Sequence, residues 1–314
     1  MINKLFFLIV GCAFAAGLIS CESDSVEVGE LEKDQWLHPY GASETDKVLQ
    51  EAFYSQNGIY LLFNDTLKKE QTGVNPDGTP FYEVEDVDLS YYMTGVSNNV
   101  NDEFHLEYLL ADAEKNAAKE FVQNYILPHL GDKLRPFSLL LVNGIEHIYA
   151  NSSTGFEKAL ETLSVYAGYR CTAIAVKGVD KLDDAEMMQL RNSILKSIVN
   201  SKINADDKIF DEFYSFTGLY YGTYAMYEAA EEFFKLYPTS YDIGLLENGY
   251  YAYGNPYGFY MYNIKARNFD LEDYINAAIM FSEQEFEAKY GQYPVVMKKY
   301  AIIRNVLTDL GITF

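Results

Sequence analysis

Cysteine is nearly absent: Cys12, Cys21 and Cys171 are the whole supply in 314 residues. No disulfide framework can be built from them, and no Cys-x-x-Cys pair exists for zinc or thiol chemistry. Tryptophan occurs once, at Trp36, and histidine four times, at His38, His105, His129 and His147. None of these histidines has a second one three or four residues away, so no helix face carries a two-histidine metal grip. A site assembled in space from scattered histidines stays open. Basic residues are scarce as well: 24 Lys+Arg stand against 46 Asp+Glu, a net charge of −22. That balance argues against nucleic acid, which is bound by Lys and Arg displacing counterions from phosphates. It argues equally against an anionic membrane surface as a partner. P-loop and dinucleotide glycine patterns are missing too. Disorder is excluded by the opposite observation, since 49% of the residues are hydrophobic. The length suits one large domain or two modest ones.

The first 20 residues read as a secretion signal. Lys4 supplies the positive start, and Leu5 to Ile19 is apolar but too short for a mature membrane span. Leu18-Ile19-Ser20-Cys21 resembles a bacterial lipobox. The resemblance implies cleavage before Cys21 and its acylation, which would anchor the chain in a membrane. An ordinary secretory signal cut near Ala16 is the alternative. Residues 21–40 are expected to be a lipidated polar tether, with Glu22 to Asp34 acidic and solvated. Glu22-Ser23-Asp24-Ser25 resembles the acidic export tag of surface lipoproteins of Gram-negative bacteria, which implies the outer membrane and the cell surface. The remainder, 41–314, is expected to be a single domain, with a sheet-containing part to about residue 180 and a helical part after it.

Ser43-Glu44-Thr45-Asp46 resembles a capping box, and Gly58 suits the end of the helix it opens. Ile59 to Phe63, Phe137 to Val142 and Cys171 to Val176 read as strands. Asn75-Pro76-Asp77-Gly78 is turn chemistry. The acidic run Glu83, Glu85, Asp86 and Asp88 lacks the ligand order of a calcium loop and reads as a solvated strand edge. Helices are expected over Leu109 to Leu127, Asp183 to about Lys202, Thr223 to Leu236, Asp270 to about Tyr290, and from Pro294 onward. Asp270 is read as a helix cap. Strands early and helices late give an α+β class, with a small N-terminal mixed sheet and a mostly helical C-terminal half.

The order of elements resembles a family of zinc-binding, metallopeptidase-like bacterial surface lipoproteins with a zincin-like fold. Ser55 to Phe63, Phe137 to Asn143, Cys171 to Asp180 and Asp270 to Phe314 carry the likeness. In that family a helix holds His-Glu-x-x-His, whose two histidines share one face and grip Zn²⁺ while the glutamate serves as general base. The matching positions here are Ser193, Ile194 and Ser197. A serine hydroxyl is a poor neutral zinc ligand, and isoleucine cannot accept a proton. In Leu271-Glu272-Asp273-Tyr274-Ile275-Asn276, the last acidic position of the family is Asn276. The resemblance therefore implies a degenerate member with no catalytic residue, no metal and no cofactor. Ser193 and Ser197 read as helix packing. Lys196, about 60° round the helix from Ser193, leaves a serine–lysine pair as a remote alternative.

Cys171 heads an apolar run and reads as a buried, inert thiol. The oddest abundance is tyrosine, 28 in all. Seven tyrosines and four glycines between Tyr241 and Tyr262 suggest a shaped loop. Within it Tyr250, Tyr251, Tyr253, Tyr257 and Tyr260 are candidate ligand-binding residues, since tyrosine offers a flat face and a polar tip. Packing of these rings in the wall of a cleft is the plainer alternative. Three functions are expected to compete. The first is a lipid-anchored, non-catalytic relative of a metallopeptidase that binds a peptide or protein. The second is a carbohydrate-binding accessory lipoprotein of a glycan-utilisation locus. The third is an active metallopeptidase using other ligands.

Overall fold

Three apolar runs make the centre of the fold. The structure, a computed structural model, describes residues 35–90, 103–150, 158–222, 224–226, 232, 235–247, 249–254 and 260–314. Cys21, with the signal and most of the expected tether, lies outside the described residues. β1 (Tyr60–Leu62), the first half of β5 (Ser138–Ala150) and β8 (Cys171–Ala175) run parallel, with β5 in the middle. Strands covered on both faces are apolar throughout, which is why these runs show no alternation. Their side chains still point to opposite faces. Leu61, Leu139, Leu141 and Ile174 enter the larger core under the helices. Tyr60, Leu62, Leu140, Cys171 and Ala173 enter a smaller core on the other face.

Trp36 belongs to that smaller core. It is 2% exposed, lies edge-on to Phe137 at 5.1 Å, and has the Arg170 guanidinium 5.0 Å over its ring. Burying an indole outweighs the polar company around it, so packed structure begins ahead of residue 41. Cys171 is buried as expected, and desolvation pushes its thiol up to about 12. A thiol held neutral is no nucleophile.

β5 is longer than expected. Beyond Val142 it leaves the parallel core and pairs antiparallel with β4 (Glu103–Tyr108) and β6 (Lys158–Leu163). β7 (Val165–Ala167) closes the other side, antiparallel to β8. β2 (Thr66–Val74) and β3 (Pro80–Asp86) form a hairpin over the Asn75–Gly78 turn, with β3 exposed along its length.

The first helix, α1 (Glu44–Asn57), has the capping box foreseen for it, and Gly58 ends it at φ 66°. Asp46 does a second job there. Its carboxylate accepts two bonds from Lys115 Nζ, at 2.7 and 2.9 Å, on α2 (Asp112–Phe121). Both side chains are nearly sealed from solvent. Burial raises the Asp46 pKa, but the Lys115 and Ser43 bonds outweigh it, leaving the carboxyl below its usual value. Such a group stabilises the fold above the unfolded carboxylate pKa and stops doing so as pH falls through the lowered folded value. Lys115→Met is therefore expected to cost about 1.5–3 kcal/mol at neutral pH. Urea unfolding should show that deficit shrinking below pH ~4.

The expected helix over Leu109–Leu127 is shorter. After Phe121 it widens into a π turn (Val122–Ile126) and ends in a 3₁₀ turn (Leu127–His129), because Pro128 lacks an N–H and crowds the preceding turn. α3 (Asp184–Lys202) starts where expected, with Asp183 accepting from the Glu186 N–H at 2.8 Å. A short α4 (Asp211–Ser215) follows. Of the helix expected over Thr223–Leu236, Tyr224–Met226 form β9, which pairs with β11 (Tyr260–Ile264), positions 232, 235 and 236 are helical, and the other positions lie outside the described residues. β11 also pairs with β10 (Tyr250–Gly254). Part of the tyrosine-rich loop is thus a hairpin, in keeping with the strand preference of aromatic residues. The C-terminal half accordingly holds a small sheet as well as helices.

The helix expected over Asp270–Tyr290 is two, α5 (Arg267–Met280) and α6 (Glu283–Tyr290), because Ser282 and Glu285 form a new capping box. α7 (Pro294–Leu310) opens at its proline as expected. Asp270 caps nothing: Ala266 holds the cap position, and the Asp270 side chain is fully buried against Lys299 of α7. The class is α+β with a mixed sheet. No helix among the described residues is long and apolar enough to cross a membrane.

A candidate binding cleft along β7 and α3

The sheet ends at β7, and α3 packs beside it. Between them opens a cavity of about 820 Å³. The serines of interest arrive here by helical geometry. Ser193, Lys196, Ser197 and Asn200 share one α3 face and all line the cavity. Ile194 points the other way and is fully buried in the larger core with Leu195, Ile198 and Val199. Asn276 sits on α5 with its Oδ1 buried and unbonded among the described residues, and it is not part of this lining. The structure thus brings Ser193 and Ser197 together and leaves Ile194 and Asn276 elsewhere.

Neither serine hydroxyl bonds to a described residue, and no bond joins Ser193 to Lys196. A nucleophile must touch its base to be activated, and among the described residues no serine–base pair is assembled at these positions. Zinc fits no better. The residues where the resemblance would place a metal grip are two neutral hydroxyls and a core isoleucine, and Lys196 would repel a cation. Among the described residues no three of His, Cys, Asp and Glu are grouped as a metal would need.

The other wall is an edge strand. The Ala175 N–H donates to the Ser164 oxygen at 2.9 Å, and the Gly168 N–H to the Cys171 oxygen at 3.0 Å. Hydrogen-bonded pairs alternate along an antiparallel ladder. Ser164, Tyr166 and Gly168 therefore face β8, while Val165 and Ala167 turn their N–H and C=O groups outward. Among the described residues no strand pairs with that outer edge. Gly168 also has a local duty. A Cβ there would sit 2.5 Å from the Leu89 oxygen and 2.9 Å from that of Cys171.

The cleft differs in charge from the molecule around it. Lys196 and Lys202 line it and make no ion pair with a described residue. The one acid among its described lining residues, Glu161, is already bonded to His147 Nδ1 at 2.9 Å. Phe104 stacks on that imidazole, with ring centres 4.7 Å apart. A cationic, hydroxyl-bearing floor thus lies beside an open strand edge in a protein of net charge −22.

Of the tyrosine candidates, Tyr250, Tyr251, Tyr253 and Tyr260 have a described backbone in β10 and β11, and Tyr257 lies outside the described residues. The edge strand itself escaped sequence reasoning, because β7 is three residues long and follows β6 after a single residue. The chain matches no protein-family profile, no curated protein and no solved structure.

Proposed function

We propose that this chain is a lipid-anchored surface protein that captures an extended, acidic peptide segment and does not cut it. The observation that carries the reading is the outward-facing backbone of Val165 and Ala167 beside the cationic face of α3. A peptide laid along an open edge gains main-chain hydrogen bonds, and neighbouring pockets select its side chains. Lys196 and Lys202 favour carboxylates at that place, while the remote negative charge is screened beyond about 8–10 Å at ordinary salt. The anchor at Cys21 and the outer-membrane location rest on the lipobox-like sequence and the acidic residues after it. The zincin-like resemblance stands as the family reading for this cleft: its helix would keep the place of a metal helix without the ligands. Asn276 lies outside the cleft and lends that reading no support.

Val165→Pro tests the proposal directly. The Val165 N–H faces outward, so proline there removes a docking donor and spares the β7–β8 ladder; proline is tolerated on such edges. Calorimetry with a library of acidic peptides is expected to find binders for the parent chain. Val165→Pro and Lys196→Glu should each weaken them by about tenfold or more, one through the backbone and one through charge. Binders that ignore both changes would reject the cleft as the site. An unbroken silence from the library, or cleavage of a peptide, would reject the function.

A further inference from the structure

A second cavity, of about 610 Å³, lies on the far side of α3, between that helix, the α5–α6 junction and the chain end. Its walls are largely apolar, from Met188, Leu195, Ile279, Phe281 and Phe314. Met188, Met280 and Phe314 are exposed large hydrophobic residues gathered at its rim. Two guanidinium groups line it: Arg304, which lies 3.4 Å over the Phe314 ring and donates to the Ala278 oxygen at 3.2 Å, and Arg191, which α3 places on the same face as Met188 and Leu195.

Arg191 is unusually held. Its Nε and Nη2 both donate to the neighbouring Asn192 Oδ1, at 3.0 and 2.8 Å. One edge of the guanidinium is thereby fixed, and Nη1 has no partner among the described residues. No carboxylate among the described residues pairs with it. The acids nearby are otherwise engaged: Glu285 accepts from the Ser282 N–H and hydroxyl, and Glu283 faces Arg304 at 3.5 Å. Burial presses the Arg191 pKa down, yet a guanidinium remains charged in proteins. A half-buried cation with a free fork and no anion is a costly arrangement. A carboxylate meeting that fork in two-pronged fashion would relieve it.

We infer that this cavity binds a small amphipathic monocarboxylate, its carboxylate on the free edge of Arg191 and its apolar tail along the Met188, Ile279 and Phe281 side. The volume falls in the usual range for small-molecule pockets. This site is separate from the cleft along β7, since it uses the opposite face of α3 and no residue of that cleft lines it.

Decanoate and its neutral match, decanol, are the probes, titrated calorimetrically into the full chain. Decanoate is expected to bind saturably, and decanol at least about tenfold more weakly, because it offers no charge to the guanidinium. Arg191→Gln should remove the preference for decanoate over decanol. Met188→Trp, at an exposed rim position, should narrow the tail channel and weaken both probes while leaving the preference intact. Should Arg191→Gln fail to fold, the preference in the parent chain and the response of Met188→Trp still decide. Equal binding of the two probes, a preference that survives Arg191→Gln, indifference to Met188→Trp, or no decanoate uptake at millimolar concentration would each overturn the inference.

Discussion

Replacing Lys299 by methionine is expected to destabilise the protein by about 3–5 kcal/mol, the usual cost of stripping one partner from a sealed ion pair. The Lys299 ammonium and the Asp270 carboxylate are both fully buried, 2.5 Å apart. Every ammonium proton has a place: Asp270 Oδ2, Thr217 Oγ1 at 3.0 Å and the Tyr221 oxygen at 3.2 Å. The cation also lies 4.3 Å from the centre of the Phe213 ring and 4.9 Å from that of Tyr274. Asp270 Oδ2 accepts from Tyr221 too, while its Oδ1 is buried with no partner among the described residues. Methionine fills the space but leaves a carboxylate facing aromatic walls. Asp270→Asn combined with Lys299→Met removes both charges and should recover most of the loss, which a double-mutant cycle in urea would read. The pH dependence has a definite sign. Desolvation already pushes the Asp270 pKa up despite Lys299, and losing the lysine pushes it further. A carboxyl with a raised folded pKa favours the fold at low pH and penalises it as pH climbs past the unfolded value. The Lys299→Met deficit should therefore widen from acid towards neutral pH, in the same direction as the Lys115→Met deficit, because each substitution strips a cation from a carboxylate.

That ion pair also shows where sequence reading stops. Asp270 looks like a cap because local pattern is all a sequence displays, and its partner stands 29 positions away on another helix. Caps whose partners lie within three residues were legible: Ser43 with Asp46, and Asp183 with Glu186. So were β1, β5 and β8, since burial on both faces writes itself as an unbroken apolar run. The β9–β10–β11 sheet was not, because its pairings link residues in the 220s to the 260s and its aromatics fit helix or strand alike. The same division runs through the cleft. The α3 face bearing Ser193 and Ser197 follows from helical spacing. The edge that faces them depends on which strand β7 pairs with, and that is a tertiary fact. Lys196 acquires its meaning only once β7 stands beside it.

Gly168→Ala should be the most damaging single methyl group in the neighbourhood of the cleft. The two carbonyl oxygens in its way, those of Leu89 and Cys171, are backbone atoms that cannot swing aside as a side chain would. Overpacking of this kind costs about 1–3 kcal/mol, and the upper end is expected because both obstacles are main chain. Gly73→Ala is the control: its nearest neighbour is a Phe81 side-chain carbon at 3.9 Å, an ordinary contact. It should change stability by less than about 0.5 kcal/mol. The two substitutions also separate fold from function. Gly168 and Cys171 form the closing pair of the β7–β8 hairpin, so relief of the clash must move Leu89 or re-angle β7. Either shift turns the Val165 and Ala167 backbone away from the cleft. Peptide uptake at 25 °C, where the Gly168→Ala chain is still folded by circular dichroism, should then fall together with the melting temperature, and Gly73→Ala should alter neither. A destabilised Gly168→Ala chain that binds acidic peptides as tightly as the parent would detach the edge strand from recognition, whatever its part in the fold.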